Sequence, residues 1–484
     1  MGQGKEKSIK LNMILNGIKG LMGIIFPFIS FPYVAKILSV DGLGAFNFAS
    51  SIVSYITLLA ALGFAMYATR EGAFIRDDKE RFSKFASEIY TLNMLSTLLA
   101  YGVLFVLLCA VPKFRDYSDI IMILSLGVFF QTFGCEWVYS VYEEYAYITV
   151  RSIALQILSL LMLFLLVKTP NDLYRYAWVS VAAAVVGNIT NRLLARKYGR
   201  IGLTAKIDWK RHLKPILILF AMNATVAIYV NSDITLLGLL CDDYTVGIYS
   251  VSVKIYTIIK TLLSAVVAVA IPRLAVLIGG ERRDEFCHTA SDIYRTLITV
   301  VFPAIVGIVL LRREIVLIIS DVAYMEATPS LAILAVTLFF CLGAGFWSQA
   351  ILIPLKKEKV VLQATIISAA INIVLNICLI PLWGEIAAAL TTLAAEVAAF
   401  LLCAHAAKKE VKLSGIIPTG IKSAGGCLLL CVYVLLIKRL DLQLIPFVLV
   451  AIGGSVMIYA ISQLLLKNDA VYGIVANLKR KANR

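Results

Sequence analysis

The sequence predicts an all-α polytopic membrane protein of fourteen transmembrane helices, and two observations carry the prediction. Of 484 residues, 60% are hydrophobic and only 15% charged, with mean hydropathy +0.88, whereas a soluble domain is about half apolar and about a quarter charged. The apolar residues also gather into runs of about 20, the length a helix needs to cross hydrocarbon about 30 Å thick. The longest connection is about 20 residues, which leaves no room for a soluble domain.

The runs follow one another at 11–36, 43–66, 86–111, 118–142, 148–168, 173–195, 214–240, 245–270, 290–311, 327–354, 360–381, 385–406, 417–437 and 443–466. Span one has no small-residue cleavage site behind a short apolar core, so it reads as a retained span and not a signal peptide. It carries Gly17, Gly20 and Gly23, then Pro27 and Pro32. Glycines three apart let a neighbouring backbone approach, and prolines remove helical donors, so the span reads either as a bendable gate or as ordinary packing with static kinks. Span four contains Glu136 beside Trp137, a buried acid or an interfacial marker. Glu143 and Glu144 with Arg151 read as a solvated cytoplasmic turn, and Cys241-Asp-Asp-Tyr244 as an outside turn. Span seven sets Asp233 into an apolar run, and span twelve holds Glu396, an acid with no evident partner. The nine cysteines form no CxxC or Cys/His pattern, and no Walker A, GxGxxG, HExxH or GxSxG motif occurs, so no soluble-enzyme chemistry is indicated.

With both termini placed inside, the cytoplasmic segments hold thirty-one of the basic residues and the outside loops eight. That bias obeys the positive-inside rule and explains most of the +15 net charge, so a nucleic-acid partner is unnecessary. Six bases remain in or beside the apolar runs: Lys19, Arg175, Lys254, Lys260, Arg295 and Lys422.

An internal repeat is legible at a constant offset of 203, which lays Gly44-Ala-Phe-Asn-Phe-Ala-Ser-Ser-Ile52 on Gly247-Ile-Tyr-Ser-Val-Ser-Val-Lys-Ile255, Arg70 on Arg273 and Lys79 on Arg282. Six spans preserve sidedness, so the halves are parallel repeats about an axis normal to the membrane. The expected organisation is an N-lobe at 1–205, a C-lobe at 206–412 and two appended helices with a tail at 413–484.

The residues Phe31-Pro-Tyr-Val-Ala-Lys-Ile-Leu38, Asp41-Gly-Leu-Gly-Ala-Phe-Asn-Phe-Ala49, Tyr67-Ala-Thr-Arg-Glu71, Glu136-Trp-Val-Tyr139 and Glu143-Glu-Tyr-Ala-Tyr-Ile-Thr-Val-Arg151 carry a family resemblance, as does the run from Asp233-Ile-Thr-Leu-Leu-Gly238 through Val246-Gly-Ile-Tyr249 to Ile271-Pro-Arg273. Over roughly residues 8–410 the chain resembles the Wzx-type polysaccharide-biosynthesis flippases of the multidrug/oligosaccharidyl-lipid/polysaccharide exporter superfamily. The resemblance implies two six-helix lobes related by a pseudo-two-fold axis around a central cavity, plus two C-terminal helices. It implies a flippase working by alternating access in the bacterial inner membrane, moving undecaprenyl-pyrophosphate-linked oligosaccharide outward for O-antigen, capsule or exopolysaccharide. Polymerase and glycosyltransferase partners and a functional monomer belong to the same picture.

A pyrophosphate-sugar head needs a wet, cationic path through hydrocarbon. Lys19, Lys254 and Lys260 are the interior candidates for phosphate, with Arg70 and Arg273 at the repeat-related mouths. The alternatives are snorkelling or ion pairing for the lysines, and topology alone for the arginines. Asp233 falls opposite Ser30 in the repeat, so it belongs to one lobe only. With Asn372, Asn376 and Thr391 it offers the oxygen ligands a small cation requires, and members of the superfamily with cation sites in the second lobe support Na⁺ or H⁺ coupling. The alternative is an ion pair of Asp233 with Lys254 or Lys260. No other cofactor is expected. The rival functions are a multidrug or cation antiporter, which should prefer an acidic or aromatic cavity, a membrane glycosyltransferase or polymerase, which needs a large external loop or acidic cluster, and a non-transporting scaffold.

Overall fold

The computed structural model describes residues 9–279 and 282–472, and every regular element among them is helical. Lys5, Lys7 and the basic residues from Lys479 to Arg484, which entered the charge count of the tails, lie outside the described residues. Twelve helices among the described residues are long and apolar enough to cross a membrane. The expected count of fourteen differs at two places. Ser118–Gly134, with 17 residues, is a shorter apolar helix, and the runs at 360–381 and 385–406, counted once among the twelve, are two helical segments of Glu358–Lys408 joined through a sharp kink at Gly384, where the sequence placed the break.

Packing divides the chain into two compact units, 1–247 and 248–484. The boundary at 247 concerns packing, whereas the repeat boundary at 205 concerns sequence relatedness.

The first unit comprises α1 (Ile9–Ile37), α2 (Val40–Ala61), α3 (Phe64–Ala73), α4 (Lys79–Ala110), α5 (Pro112–Asp116), α6 (Ser118–Gly134), α7 (Trp137–Val141), α8 (Tyr145–Leu166), α9 (Leu173–Ala195), α10 (Trp209–Leu240) and the start of α11 (Asp243–Gly279). Local chemistry sets the helix starts. The Ser39 hydroxyl accepts from Gly42 N at 3.0 Å, and the Asp78 carboxylate accepts from Glu80 N and Arg81 N at 3.1 and 3.0 Å, each satisfying donors a helix start leaves open. Asp172 builds the turn between α8 and α9 by accepting from the backbone of Lys168 and Thr169 at 2.9 and 2.8 Å. α2 packs on α4, α6 and α10, α6 on α9, and α1 chiefly on α8. Since α1 has so few neighbours, a Cβ at Gly17, Gly20 or Gly23 would meet nothing within 4 Å. No backbone approaches these glycines, and α1 runs as one helix through Pro27 and Pro32.

Two glycines that do permit a close approach of backbone head the repeat. A Cβ on Gly44 would lie 1.8 Å from Asp243 O, and one on Gly247 would lie 2.2 Å from Val40 O. Val40 and Asp243 are themselves one offset of 203 apart. The start of α2 and the start of α11 therefore touch by a reciprocal contact, the pattern a two-fold relation produces.

The second unit contains the rest of α11 with α12 (Arg283–Leu310), α13 (Arg312–Ile319), α14 (Ala327–Gly345), a π-helical stretch Phe346–Leu352, α15 (Glu358–Lys408), α16 (Ile416–Ile437) and α17 (Leu444–Leu465). α12 packs on α14 and α16, α14 on α15, and α16 on α17. α15 follows Pro381 with Gly384 at φ 52°, ψ −128°, a conformation open to glycine at little cost. There the helix folds back on itself. The Thr391 hydroxyl bonds Asn376 Oδ1 although 15 residues separate them, a separation of about 22 Å along a straight helix.

Candidate functional site

α6 stops at Gly134 because Cys135 adopts a left-handed backbone, φ 49°. A Cβ at position 134 would lie 2.3 Å from Asn188 Oδ1, so glycine is what lets α9 bring Asn188 against this break. The chain then places Glu136 ahead of α7, where it collects two bases from two other helices. Lys19 Nζ of α1 stands 3.3 Å from Glu136 Oε1, and Arg151 Nη2 of α8 stands 2.5 Å from Glu136 Oε2. Arg151 also donates to Gly187 O at 3.2 Å and lies 5.8 Å from the Tyr147 ring centre. Its side chain is 13% exposed, against 39% for Lys19 and 41% for Glu136. The triad carries two positive charges to one negative, held at one side by a buried fork and exposed at the other.

Two cavities meet at this carboxylate. One, of about 610 Å³, is lined by Thr57, Thr69, Gln131, Ser140, Trp137 and neighbouring apolar residues. The other, of about 280 Å³, is lined by Phe26, Arg151, Ser152, Gln156 and Ser159 among others. Glu136, Ser180, Ala184 and Asn188 line both. Polar side chains around a charge are what make an intramembrane ion triad sustainable.

The remaining sequence candidates fall elsewhere. Lys260 Nζ lies 3.9 Å from Glu396 Oε1, with exposures of 38% and 8%, and 5.5 Å from the Tyr256 ring centre. Lys254 is half-buried on the same helix, six residues away and so on a different face. Arg70 and Arg273 are exposed, and Arg70 contacts its neighbour Glu71 at 3.1 Å. Asn372, Asn376 and Thr391 come together, all at most 1% exposed, in the fold of α15: Asn376 donates to Asn372 Oδ1 at 3.2 Å, and Thr391 bonds Asn376 Oδ1 and, at 2.9 Å, Ala388 O. Asp233, 9% exposed, sits on α10 in the first unit with Tyr55 in its electrostatic neighbourhood, while Thr235 bonds Ser51 Oγ and Tyr55 OH at 2.9 and 3.2 Å. The residues of the expected cation set are thus divided, Asp233 in one unit and the other three in the second.

Two readings of the sequence are corrected. Arg151 is not in a solvated turn with Glu143 and Glu144. α8 starts at Tyr145, so residue 151 is well inside the helix and faces Glu136. Glu143 instead pairs with Arg76 at 2.7 Å, and Glu144 accepts from Tyr198 OH at 2.8 Å. Glu396, read as lacking a partner, faces Lys260. The available signal was an acid in span four followed by a base early in span five. Among the described residues no group of three or more His, Cys, Asp or Glu could hold a metal.

A multi-pass bundle with a charged recess among its spanning helices is the build of a membrane transporter. The chain belongs to the polysaccharide biosynthesis protein family, whose family model matches residues 9–277, more than half its length. Two curated relatives are candidate O-antigen transporters: one of Escherichia coli (strain K12), 21% identical over 80% of this chain and 94% of the relative, and one of Shigella dysenteriae, 23% identical over 83% and 100%. The fold is similar to that of the lipid II flippase MurJ in an inward closed conformation, at TM-score 0.75 and 16% identity, covering 95% of this chain and 99% of the other. It is also similar to an inward-facing multidrug resistance MATE family transporter of the MOP superfamily, at TM-score 0.55 and 14% identity over 80% and 98%. The resemblance read from the sequence thus holds at the level of the family: this is a member of the polysaccharide biosynthesis protein family.

Proposed function

We infer that the protein is a flippase that carries a lipid-linked oligosaccharide across the membrane for surface polysaccharide assembly. The observation that carries this reading is the Lys19–Glu136–Arg151 triad, an excess of positive charge at a polar recess. Phosphate competes with Glu136 for Lys19, the more exposed base, while Arg151 stays on the carboxylate. Lys19 can therefore change partners without leaving Glu136 unpaired. The family and the named relatives support the polysaccharide cargo.

The finer form of the reading has an undecaprenyl-pyrophosphate carrier moving from inner to outer leaflet of the bacterial inner membrane, with both termini cytoplasmic. Lobes at 1–205 and 206–412 with an appended pair at 413–484 are its organisation. Lys254, Lys260, Arg70 and Arg273 are further bases it offers to phosphate. A membrane potential is worth about 2.3 kcal/mol per charge per 100 mV, so outward movement of an anionic head is electrically downhill. Return of the emptied, positive carrier is the step that Na⁺ or H⁺ at Asp233, with Asn372, Asn376 and Thr391, would assist. The monomer is the working unit, fed by glycosyltransferases and drained by a polymerase.

Flipping of fluorescent lipid-linked oligosaccharide in proteoliposomes, followed by chemical quenching of the outer leaflet under imposed potential and ion gradients, tests the function. Transfer faster than in protein-free vesicles is expected, and its absence refutes the reading. Loss of the ion-gradient effect alone in Asp233→Asn is the expected sign of coupling.

A further inference from the structure

The geometry points to a second compartment of this site: the 610 Å³ cavity beside Glu136 is a glycan-reading subsite, distinct in chemistry from the bases that hold phosphate, with Thr57, Thr69, Ser180 and Asn188 as its specificity-determining residues. It deepens the flippase reading and rests on it.

Hydrogen-bond polarity carries the argument. Thr57 Oγ1 donates to Val53 O at 2.8 Å, Thr69 Oγ1 to Ala65 O at 2.8 Å, and Ser180 Oγ to Tyr176 O at 2.9 Å. Each hydroxyl proton is directed into its own helix, so what these side chains can offer a ligand is oxygen lone pairs. Asn188 likewise donates from Nδ2 to Ala184 O at 2.9 Å. Glu136 is an acceptor by charge, and a carboxylate retains lone pairs beyond the two bonds it accepts here. Trp137 and Ser140 add an indole N–H and a hydroxyl to the same wall, but its acceptors predominate, and it calls chiefly for a ligand with several donors.

Three ligand classes can be compared against it. An ionised phosphate brings acceptors only, so it is repelled by this wall and drawn to Lys19 and Arg151. An organic cation brings a positive charge, which the two bases around Glu136 oppose. A sugar brings several neutral hydroxyl donors, and a cavity of about 610 Å³ is in the size range of small-molecule sites, roughly 300–1,000 Å³. Gln131 adds an amide to the same wall, able to give and take a hydrogen bond. The glycan lies against the acceptor wall while the phosphate engages the bases at its edge.

The test compares two ligands on detergent-purified protein by a binding assay: lipid-linked oligosaccharide extracted from the producing cells, and the same polyprenyl pyrophosphate without sugar. Thr57→Val/Thr69→Val/Ser180→Ala removes three acceptors with little change of shape. It should weaken binding of the glycosylated lipid about a hundredfold, from about 1 kcal/mol per lost hydrogen bond, and leave the sugar-free lipid unchanged. Retained binding of the sugar-free lipid also reports that the variant folds. If the triple variant does not fold, Thr57→Val and Thr69→Val singly should each shift the ratio about fivefold. Lys19→Gln should weaken both ligands alike. An unaltered ratio between the ligands, with Lys19→Gln still weakening both, overturns the subsite alone. Wild-type protein that binds neither ligand overturns the flippase reading with it.

Discussion

Each unit of the molecule holds a lysine on a spanning helix against a carboxylate, and the two arrangements differ in stoichiometry and in exposure. In the first, Glu136 is 41% exposed and shared between Lys19 and Arg151. In the second, Glu396 is 8% exposed and faces Lys260 at 3.9 Å. Coulomb attraction is several-fold stronger in a dry setting than in a wet one, but so is the cost of leaving a charge behind. Lys19 can be withdrawn because Arg151 remains on the acid, which is itself exposed. Withdrawing Lys260 uncovers a buried carboxylate. The difference teaches that an interior base is not equally available for ligand exchange merely because it is interior; its acid partner's exposure decides.

The largest effect that could break this contrast lies in the second unit. Lys260→Met strands Glu396 and should cost about 3 kcal/mol of stability, read as a lowered melting midpoint in detergent, with Lys260→Met/Glu396→Leu recovering most of it. A double variant no better than the single one would show that the pair is not the reason. Next comes Arg151→Gln in the first unit. Since Glu136 is partly solvated, we expect about 2 kcal/mol, seen as a roughly 30-fold slower flipping rate, because Lys19 is then tied to the sole carboxylate it must leave. Equal rates for wild type and variant would remove the argument for exchange.

The fold of α15 sharpens the comparison at a smaller scale. Gly384→Ala forces a side chain onto φ 52° and should cost about 1–3 kcal/mol in stability, while the corresponding turn of the first unit, built by Asp172, has no such glycine. A melting midpoint unchanged by Gly384→Ala would contradict it. The smallest effect is at Lys357–Glu410, 2.6 Å apart and 36% and 28% exposed. The hydrogen bond from Lys357 holds the Glu410 carboxyl below its usual range. A lowered folded-state value gives stability that is present above the ordinary carboxylate pKa and lost as pH falls through the lowered one. Solvent screening limits it to under about 0.5 kcal/mol, so acid titration of Lys357→Met and wild type should converge below that pH.

How far the sequence disclosed this follows from the range of each interaction. Spans are local facts of composition, so span six at 173–195 matches α9 residue for residue. The break at 382–384 between spans eleven and twelve was legible from Pro381 and Gly384, whereas span four was shortened by the left-handed Cys135, a conformation no propensity assigns to cysteine. Lys19 was legible as an interior base, but its partner lies 117 residues away, and such a pairing is set by which helices pack. The donors of Thr57, Thr69 and Ser180 are each committed four residues back, a local habit that becomes functional only once α2, α3 and α9 face one recess.

The paired glycines at 44 and 247 have an evolutionary reading. A contact in which one segment meets its own duplicate is self-complementary, so in a dimer of a half-length precursor a single glycine codon would have served both sides of the seam. In the present chain the constraint falls on two positions: a side chain at position 44 would collide with the backbone of Asp243, and one at position 247 with the backbone of Val40.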